Sequence, residues 1–278
     1  MGHTLIIDAY NMIHRCRFSW KGGLDHGDGR IIYNFIKTFR STIDGFNPDK
    51  VYFVLDGKPS KRLNLDKEYK GNRTVDTDDS EVISYWEDFH LQKRAIISLV
   101  KMHLPVTTAY HPLYEADDVI YHLVRSGIGS QITIVSSDTD FIQILNEFPD
   151  SVTLYNPLTK SYRDNTDYDY VSWKSMVGDR ADNISGVPRV GKKTAEKILL
   201  KSGELDKRLS DPIFKGAYEK SYSLIKLDDM MDVKNEVEFY RPDLDEDTVA
   251  SFFEDMDFAS LLNDKFLEKF FDTFKRLL

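Results

Sequence analysis

The chain is short of several things, and each shortage closes a class of explanation. It has one cysteine, Cys16, so no internal disulfide can form, and a lone cysteine is more often a small buried residue than a nucleophile. Its seven histidines are scattered, without the spacing that gathers a zinc site. No apolar run approaches the ~18 residues that cross a bilayer, so no membrane partner is expected. The opening "MGHTLIIDAY" has neither the basic region nor the long apolar stretch of a secretory signal, and Ile6 stands where a myristoylation signal wants Ser or Thr. The expected location is the cytoplasm. Repeats and low-complexity tracts are lacking too. Positive charge is scarce: a net charge of −9 over 278 residues argues, by itself, against a nucleic-acid partner, whose phosphates are met by Lys and Arg.

What positive charge there is sits in two places. Lys58, Lys61, Arg62, Lys67, Lys70 and Arg73 outnumber Asp66 and Glu68 in one island; Arg189, Lys192, Lys193, Lys197 and Lys201 face only Glu196 in another, and each is net +4. The tail from Asp228 is strongly acidic. Two basic islands in an acidic chain suggest local phosphate contacts, or else two solvated charge runs.

Three β-rich runs stand out: "TLIID" ending at Asp8, "KVYFVLD" ending at Asp56, and "QITIVSSDTD" ending at Asp138 and Asp140. Between them lie helically spaced segments, such as Ile31, Ile32, Phe35, Ile36 and Phe39, or Phe89, Ala95, Ile96, Leu99 and Val100. Apolar strands alternating with helices predict an α/β fold, a central, mostly parallel sheet flanked by helices. Ligands bind at the carboxyl ends of such strands, so the fold itself would line these aspartates along one edge. Any one of them is equally a turn former or helix cap; three strands ending this way are harder to dismiss. "YEADDVIYHLV" adds Glu115, Asp117 and Asp118 in a first helical turn, more acid than the helix dipole asks for. "VGDRADNISG" adds Asp179 and Asp182.

These nine carboxylates equal the chain's net charge of −9. An oxygen-only ligand set without Cys or a His cluster selects a hard ion, Mg²⁺ with Mn²⁺ able to substitute. The number of carboxylates implies two ions or more, the usual clamp for displacement at a phosphodiester. The stretch "GVPRVGKKTAEKIL" imitates a nucleotide-binding P-loop, but Lys193 occupies the Ser/Thr position and no strand precedes it. The alternative is a helix-hairpin-helix. Its turn, at Gly186 and Gly191, would turn backbone amides toward a phosphate, with Arg189, Lys192, Lys193 and Lys197 adding charge.

With "LIIDAYN", "VLDGKPSKR", "EYKGNR", "YEADD", "SSDTD" and "GDRADNISGVPRVGKKTA" in order, the chain resembles the flap endonuclease and 5′-to-3′ exonuclease superfamily. It is most similar to the compact phage-type 5′ nucleases and the nuclease domain of bacterial DNA polymerase I. The resemblance covers most of the chain. It implies a nuclease core over 1–168, with a helical arch at about 71–103, and a helical region over 169–278 with the hairpin at about 176–201. It assigns Asp8, Asp56, Glu115, Asp117 and Asp118 to one metal position and Asp138, Asp140, Asp179 and Asp182 to the second, with Asp140 required for catalysis. Lys70 would approach the scissile phosphate, with Arg73 alongside, and Tyr69 would stack on a base or pack in the core. Lys58 and Arg62 would join the hairpin residues in nucleic-acid binding, and K⁺ would sit at residues 185–190.

The implied reaction is hydrolysis of a phosphodiester near a 5′ end or flap, leaving 5′-phosphate and 3′-hydroxyl products. The substrates would be branched or 5′-ended duplex DNA and RNA/DNA hybrid, as in primer removal during replication. The resemblance also implies a monomer, acting as a separate polypeptide, in the host cytoplasm if phage-encoded. A polymerase, sliding clamp or single-strand-binding protein would be its replication partner. Two other readings stand beside it. A PIN-like endoribonuclease would lack the hairpin and "EYKGNR"; a non-catalytic DNA-junction binding protein would have lost several of the carboxylates. The tail's Phe252, Phe253, Phe258, Leu261, Leu262, Phe266, Phe270 and Phe271 read as helical core.

Overall fold

The computed structural model describes residues 2–17, 29–73, 78–230 and 236–278. The first half runs β1 (His3–Asp8), α1 (Ala9–Cys16), α2 (Arg30–Phe46), β2 (Lys50–Leu55), α3 (Ser60–Leu65), a 3₁₀ turn at Gly71–Arg73, α4 (Ser80–His103), β3 (Thr107–Tyr110), α5 (Ala116–Arg125) and β4 (Gln131–Val135). Then follow α6 (Ile142–Glu147), β5 (Val152–Asn156), β6 (Ser161–Arg163), α7 (Tyr170–Val177), α8 (Lys192–Leu200), α9 (Glu204–Leu209), α10 (Pro212–Ile225), β7 (Glu238–Tyr240), α11 (Glu246–Asp255) and α12 (Asp264–Lys275).

The strands form one sheet in the order β6-β5-β4-β1-β2-β3-β7. The five central strands are parallel, and the short β6 and β7 are antiparallel edges. Alternation along β1 sends Leu5 and Ile7 into one core, with α1, α2, α4, α11 and α12, and Ile6 into the other, with α5 and α6. From β1 the chain moves outward through β2 and β3, then crosses back to β4 on β1's other flank. The switch point therefore falls between β1 and β4, the place where sheets of this kind bind ligands beyond the carboxyl ends of their strands.

The apolar spacing of α2 appears as its buried face, Ile31, Ile32, Phe35, Ile36, Phe39 and Ile43. Its first turn is closed from outside: Gln92 on α4 accepts the Ile31 and Ile32 amides at 3.0 and 3.3 Å. Beyond residue 168 the chain returns to the first core, with β7 in the sheet and Val249, Phe253, Phe270 and Phe274 packed among Phe35, Phe39 and Leu99. The boundary at 168/169 does not separate two cores. The expected arch falls partly on residues 74–77, outside the described residues, and from Phe89 onward α4 is a core helix.

Candidate metal centre and nucleic-acid interface

Asp8 is the last residue of β1 and the N-cap of α1, so the capping reading and the site reading are both true of it. One oxygen accepts the Asn11 amide at 3.0 Å and the other the Ser136 hydroxyl at 2.9 Å. Asp56 follows β2 and accepts the Ala116 amide at 2.8 Å, tying that strand end to the start of α5. Gly57 makes this possible: a Cβ there would lie 2.0 Å from the His111 carbonyl oxygen. The Ser136 hydroxyl also accepts the Asp138 amide at 3.1 Å, and Asp138 in turn accepts the Asp140 amide at 2.9 Å. Asp8 lies near enough to Asp56, Asp138 and Asp117 to repel each of them, and among the described residues no ion pair reaches any of the four. Burial, then the neighbouring Asp56, pushes the Asp8 carboxyl up to about 7. Burial raises Asp56 to about 6 against the pull of the Ala116 amide. Burial with Asp138 and Asp8 carries Asp117 well above the carboxylate range.

A second group is treated differently. Asp140, Asp179 and Asp182 bring oxygens within 4.8 Å of one another. The loop carrying the last two is pinched shut by paired backbone bonds between Asp179 and Ile184, at 2.8 and 2.7 Å. Gly178 and Gly186, both with positive φ, interlock at its base: a Cβ on either would come within 2.5 Å of the other strand of the loop. Cations close this group. Lys174, 6 % exposed, bonds Asp140 and Asp179, the latter at 2.6 Å; Arg73 bonds Asp182; Lys70 bonds Glu115 and lies 3.6 Å from Asp182. Burial opposes the charge on Glu115 and Asp179, but Lys70 and Arg62 outweigh it at the first and Lys174 at the second, so both stay below their usual range. At Asp140 burial wins, with Asp138 adding to it, and the carboxyl rises to about 7 despite Lys174.

The "EYKGNR" segment is stitched to the same loop. The Lys70 amide donates to the Asp182 carbonyl at 3.0 Å, Asn72 to Arg180 at 2.7 Å, Arg73 to Ala181 at 3.3 Å, and Asn183 back to Glu68 at 2.8 Å. Lys70 sits at φ 56, a left-handed conformation costing a non-glycine residue about 1 kcal/mol or more.

Three expected site residues are elsewhere. Arg62, expected at a phosphate, is buried; its guanidinium donates to both Asp118 oxygens at 2.5 and 2.7 Å, to Glu115 at 3.0 Å, and to the Leu224 and Lys226 carbonyls. Asp118, expected as a metal ligand, is 1 % exposed and is that guanidinium's counter-ion, and it also accepts the Asp228 amide at 2.9 Å. Tyr69 packs in the core with Val171, Ile184 and Leu224, its hydroxyl donating to Glu115 at 2.9 Å and Asp182 at 3.2 Å. Of its two readings the structure takes core packing. Conversely, sequence reasoning missed Lys174, whose one signal is a charge inside the otherwise uncharged run "YVSWKSMV".

The segment from α7 to α8 packs through Met176, Val187, Ala195 and Ile198. Gly186, expected at a phosphate, is spent on the clasp with Gly178. The turn that follows has its positive φ at Arg189, whereas Gly191, the N-cap of α8, has an ordinary φ of −93 and open space around it. Arg189, Lys192, Lys193 and Lys197 are exposed, and among the described residues none of them makes an ion pair. Lys58 is exposed in the same way.

Residues 3–175 match the family described as 5′-3′ exonuclease, N-terminal resolvase-like domain. The chain belongs to this family. Some of its relatives are longer. The thermostable DNA polymerase I of Thermus thermophilus is 29% identical over 224 residues, 76% of this chain and 25% of the relative. That of Thermus aquaticus is 28% identical over 292 residues, 95% of this chain and 33% of the relative. The chain thus spans about a quarter to a third of the length of these relatives. Among solved structures, a variant of a bacteriophage T5 flap endonuclease, in a pseudo-enzyme-product complex with DNA and metal ions, superposes with a TM-score of 0.67 at 19% identity, covering 98% of this chain and 99% of that one. Human GEN1 in complex with Holliday junction DNA gives 0.58 at 15%, covering 97% and 72%. These likenesses carry the fold, including the mostly parallel sheet flanked by helices.

Proposed function

We propose that the chain is a structure-specific 5′ nuclease, an exonuclease and flap endonuclease that hydrolyses phosphodiesters in DNA and in RNA/DNA hybrid with Mg²⁺ at two positions. The observation that carries this reading is the quartet Asp8, Asp56, Asp117 and Asp138 at the switch point, Asp8 buried and the others half-buried, with Asp8 repelled by the other three and no ion pair to any of the four among the described residues. Such a set is costly without a bound cation, and its all-oxygen chemistry fits a hard divalent ion. Asp140, Asp179 and Asp182 would hold the second ion. Ions bound there supply a more acidic water and positive charge for the departing oxygen.

The chain's own residues do the rest. Lys70 trades Glu115 for a substrate phosphate and steadies charge as it develops, with Arg73 beside it. Exposed Lys58, Arg189, Lys192, Lys193 and Lys197 hold the duplex by its backbone, independent of sequence. The tight turn at 185–190 is the candidate K⁺ site. Removal of RNA primers or 5′ flaps in replication, as a monomer working beside a polymerase, clamp or single-strand-binding protein, is the role that suits this chemistry.

The test is cleavage of an end-labelled 5′-flap duplex, with DNA and RNA flaps in parallel, in Mg²⁺, Mn²⁺ and EDTA. Cutting near the junction with metal only is expected, and Asp140→Ala should abolish it while leaving flap binding largely intact. Tight binding without cutting in either metal would sink the nuclease reading.

A further inference from the structure

Lys174 has no role in that scheme, yet it is the buried cation at the centre of the second carboxylate group. Its ammonium bonds Asp140 and Asp179, whose oxygens, with those of Asp182, lie within 4.8 Å of one another. It arises from α7 and is 6 % exposed, with its charged end on the carboxylates. The first group has no such occupant. A dication and an ammonium a few ångström apart repel strongly even at the effective dielectric of a protein, so both cannot keep the same carboxylates. A lysine ammonium on a flexible four-carbon stem can withdraw where a rigid guanidinium fork would not.

We infer that Lys174 is a resident counter-ion standing in the second metal position, holding Asp140 and Asp179 together in the metal-free protein and leaving them when an ion enters. This rests on the two-position reading above. Its consequence is an order of filling: the Asp8, Asp56, Asp117 and Asp138 position loads first, and the second loads only at higher ion concentration, against Lys174.

The experiment is Mn²⁺ titration of the full chain by calorimetry, comparing the wild type with Lys174→Met and Lys174→Arg. The wild type should show two stages. Lys174→Met should tighten the second by at least about tenfold and leave the first unchanged, while Lys174→Arg keeps the second weak. Thermal melting adds a readout: Lys174→Met should melt earlier than the wild type in EDTA and recover in Mn²⁺. A second stage unchanged or weakened in Lys174→Met overturns the inference alone, whereas a wild type that takes up no ion overturns the metal reading with it. Should Lys174→Met not fold, the wild type decides by acetylation footprinting. Lys174 should be protected in EDTA and become labelled as the second stage fills; protection that persists in saturating Mn²⁺ overturns the inference.

Discussion

The two basic islands are alike on paper and unlike in the molecule. Each carries net +4. In the first, Arg62 is buried on Asp118 and Glu115, Lys70 is on Glu115, Arg73 on Asp182 and Lys61 on Asp228. In the second, among the described residues only Lys201 is paired, with Glu204 at 3.0 Å. Four of the first island's six cations neutralise the protein's own acids, whereas four of the second's five make no ion pair among the described residues. A local charge count cannot make that distinction, because what decides it is whether the fold brings carboxylates to the cations.

The sharpest way to break the comparison is at Arg62. Arg62→Met would leave Asp118 buried without its counter-ion and Glu115 with Lys70 alone, and removing one member of a buried pair costs about 3–5 kcal/mol. Urea denaturation should show a loss of that order; a loss under about 1 kcal/mol would mean that the network is solvated and that Arg62 is open to DNA after all. Lys70 is the first island's intermediate case, its side chain 19 % exposed. Lys70→Ala should lower single-turnover cleavage by roughly 10²–10³-fold with flap affinity little changed, and unchanged turnover would leave the ammonium a structural neighbour of Glu115.

The second island should answer in the opposite currency. Replacing Lys192, Lys193 and Lys197 together by Ala should shift unfolding by no more than ~0.5 kcal/mol per site. Yet the slope of log affinity against log salt should fall by about 0.9 for each phosphate that the variant no longer neutralises. An unchanged salt slope in that triple variant would remove the exposed island from the duplex interface.

The fold was legible where a pattern is local. Strand runs ending in aspartate and the stripe of α2 needed only neighbours in sequence, so β1, β2 and β4, the parallel α/β plan and Asp8, Asp56 and Asp138 at the strand ends could be read directly, whereas β3, β5 and β6 were not read. Pairings across the chain could not. Arg62 finds its acids 53 and 56 residues away, and Lys174 finds Asp140 34 residues back, so one was misread as a phosphate contact and the other passed over. The three-residue β7 was lost in an acidic tail because its strand character comes from pairing with β3. Gly186 shows the same limit at short range. A glycine before a basic run reads as a phosphate turn, and only the close approach of Gly178 reveals the other use.

The carboxylates carry their own version of the comparison, and pH separates it. Asp8 and Asp140 are raised to about 7 and Asp56 to about 6, first by burial in each case. In the unfolded chain such groups lose their protons near pH 4. Between that point and about pH 7 the metal-free native state holds protons that the unfolded state has released, so stability falls as pH rises through the window and levels off above it. Asp179 and Glu115, held low by Lys174, Lys70 and Arg62, pull the opposite way, but at lower pH, below the usual carboxylate range. Divalent ions bind the deprotonated acids and release those protons, so Mg²⁺ should raise the melting temperature little at pH 5 and increasingly toward pH 7 to 8. Calorimetric scans in EDTA and in Mg²⁺ across that range measure it. A metal-free melting temperature that climbs from about pH 5 to about pH 7 would show that the quartet is already neutralised within the protein, and would erase its contrast with the group that Lys174 closes.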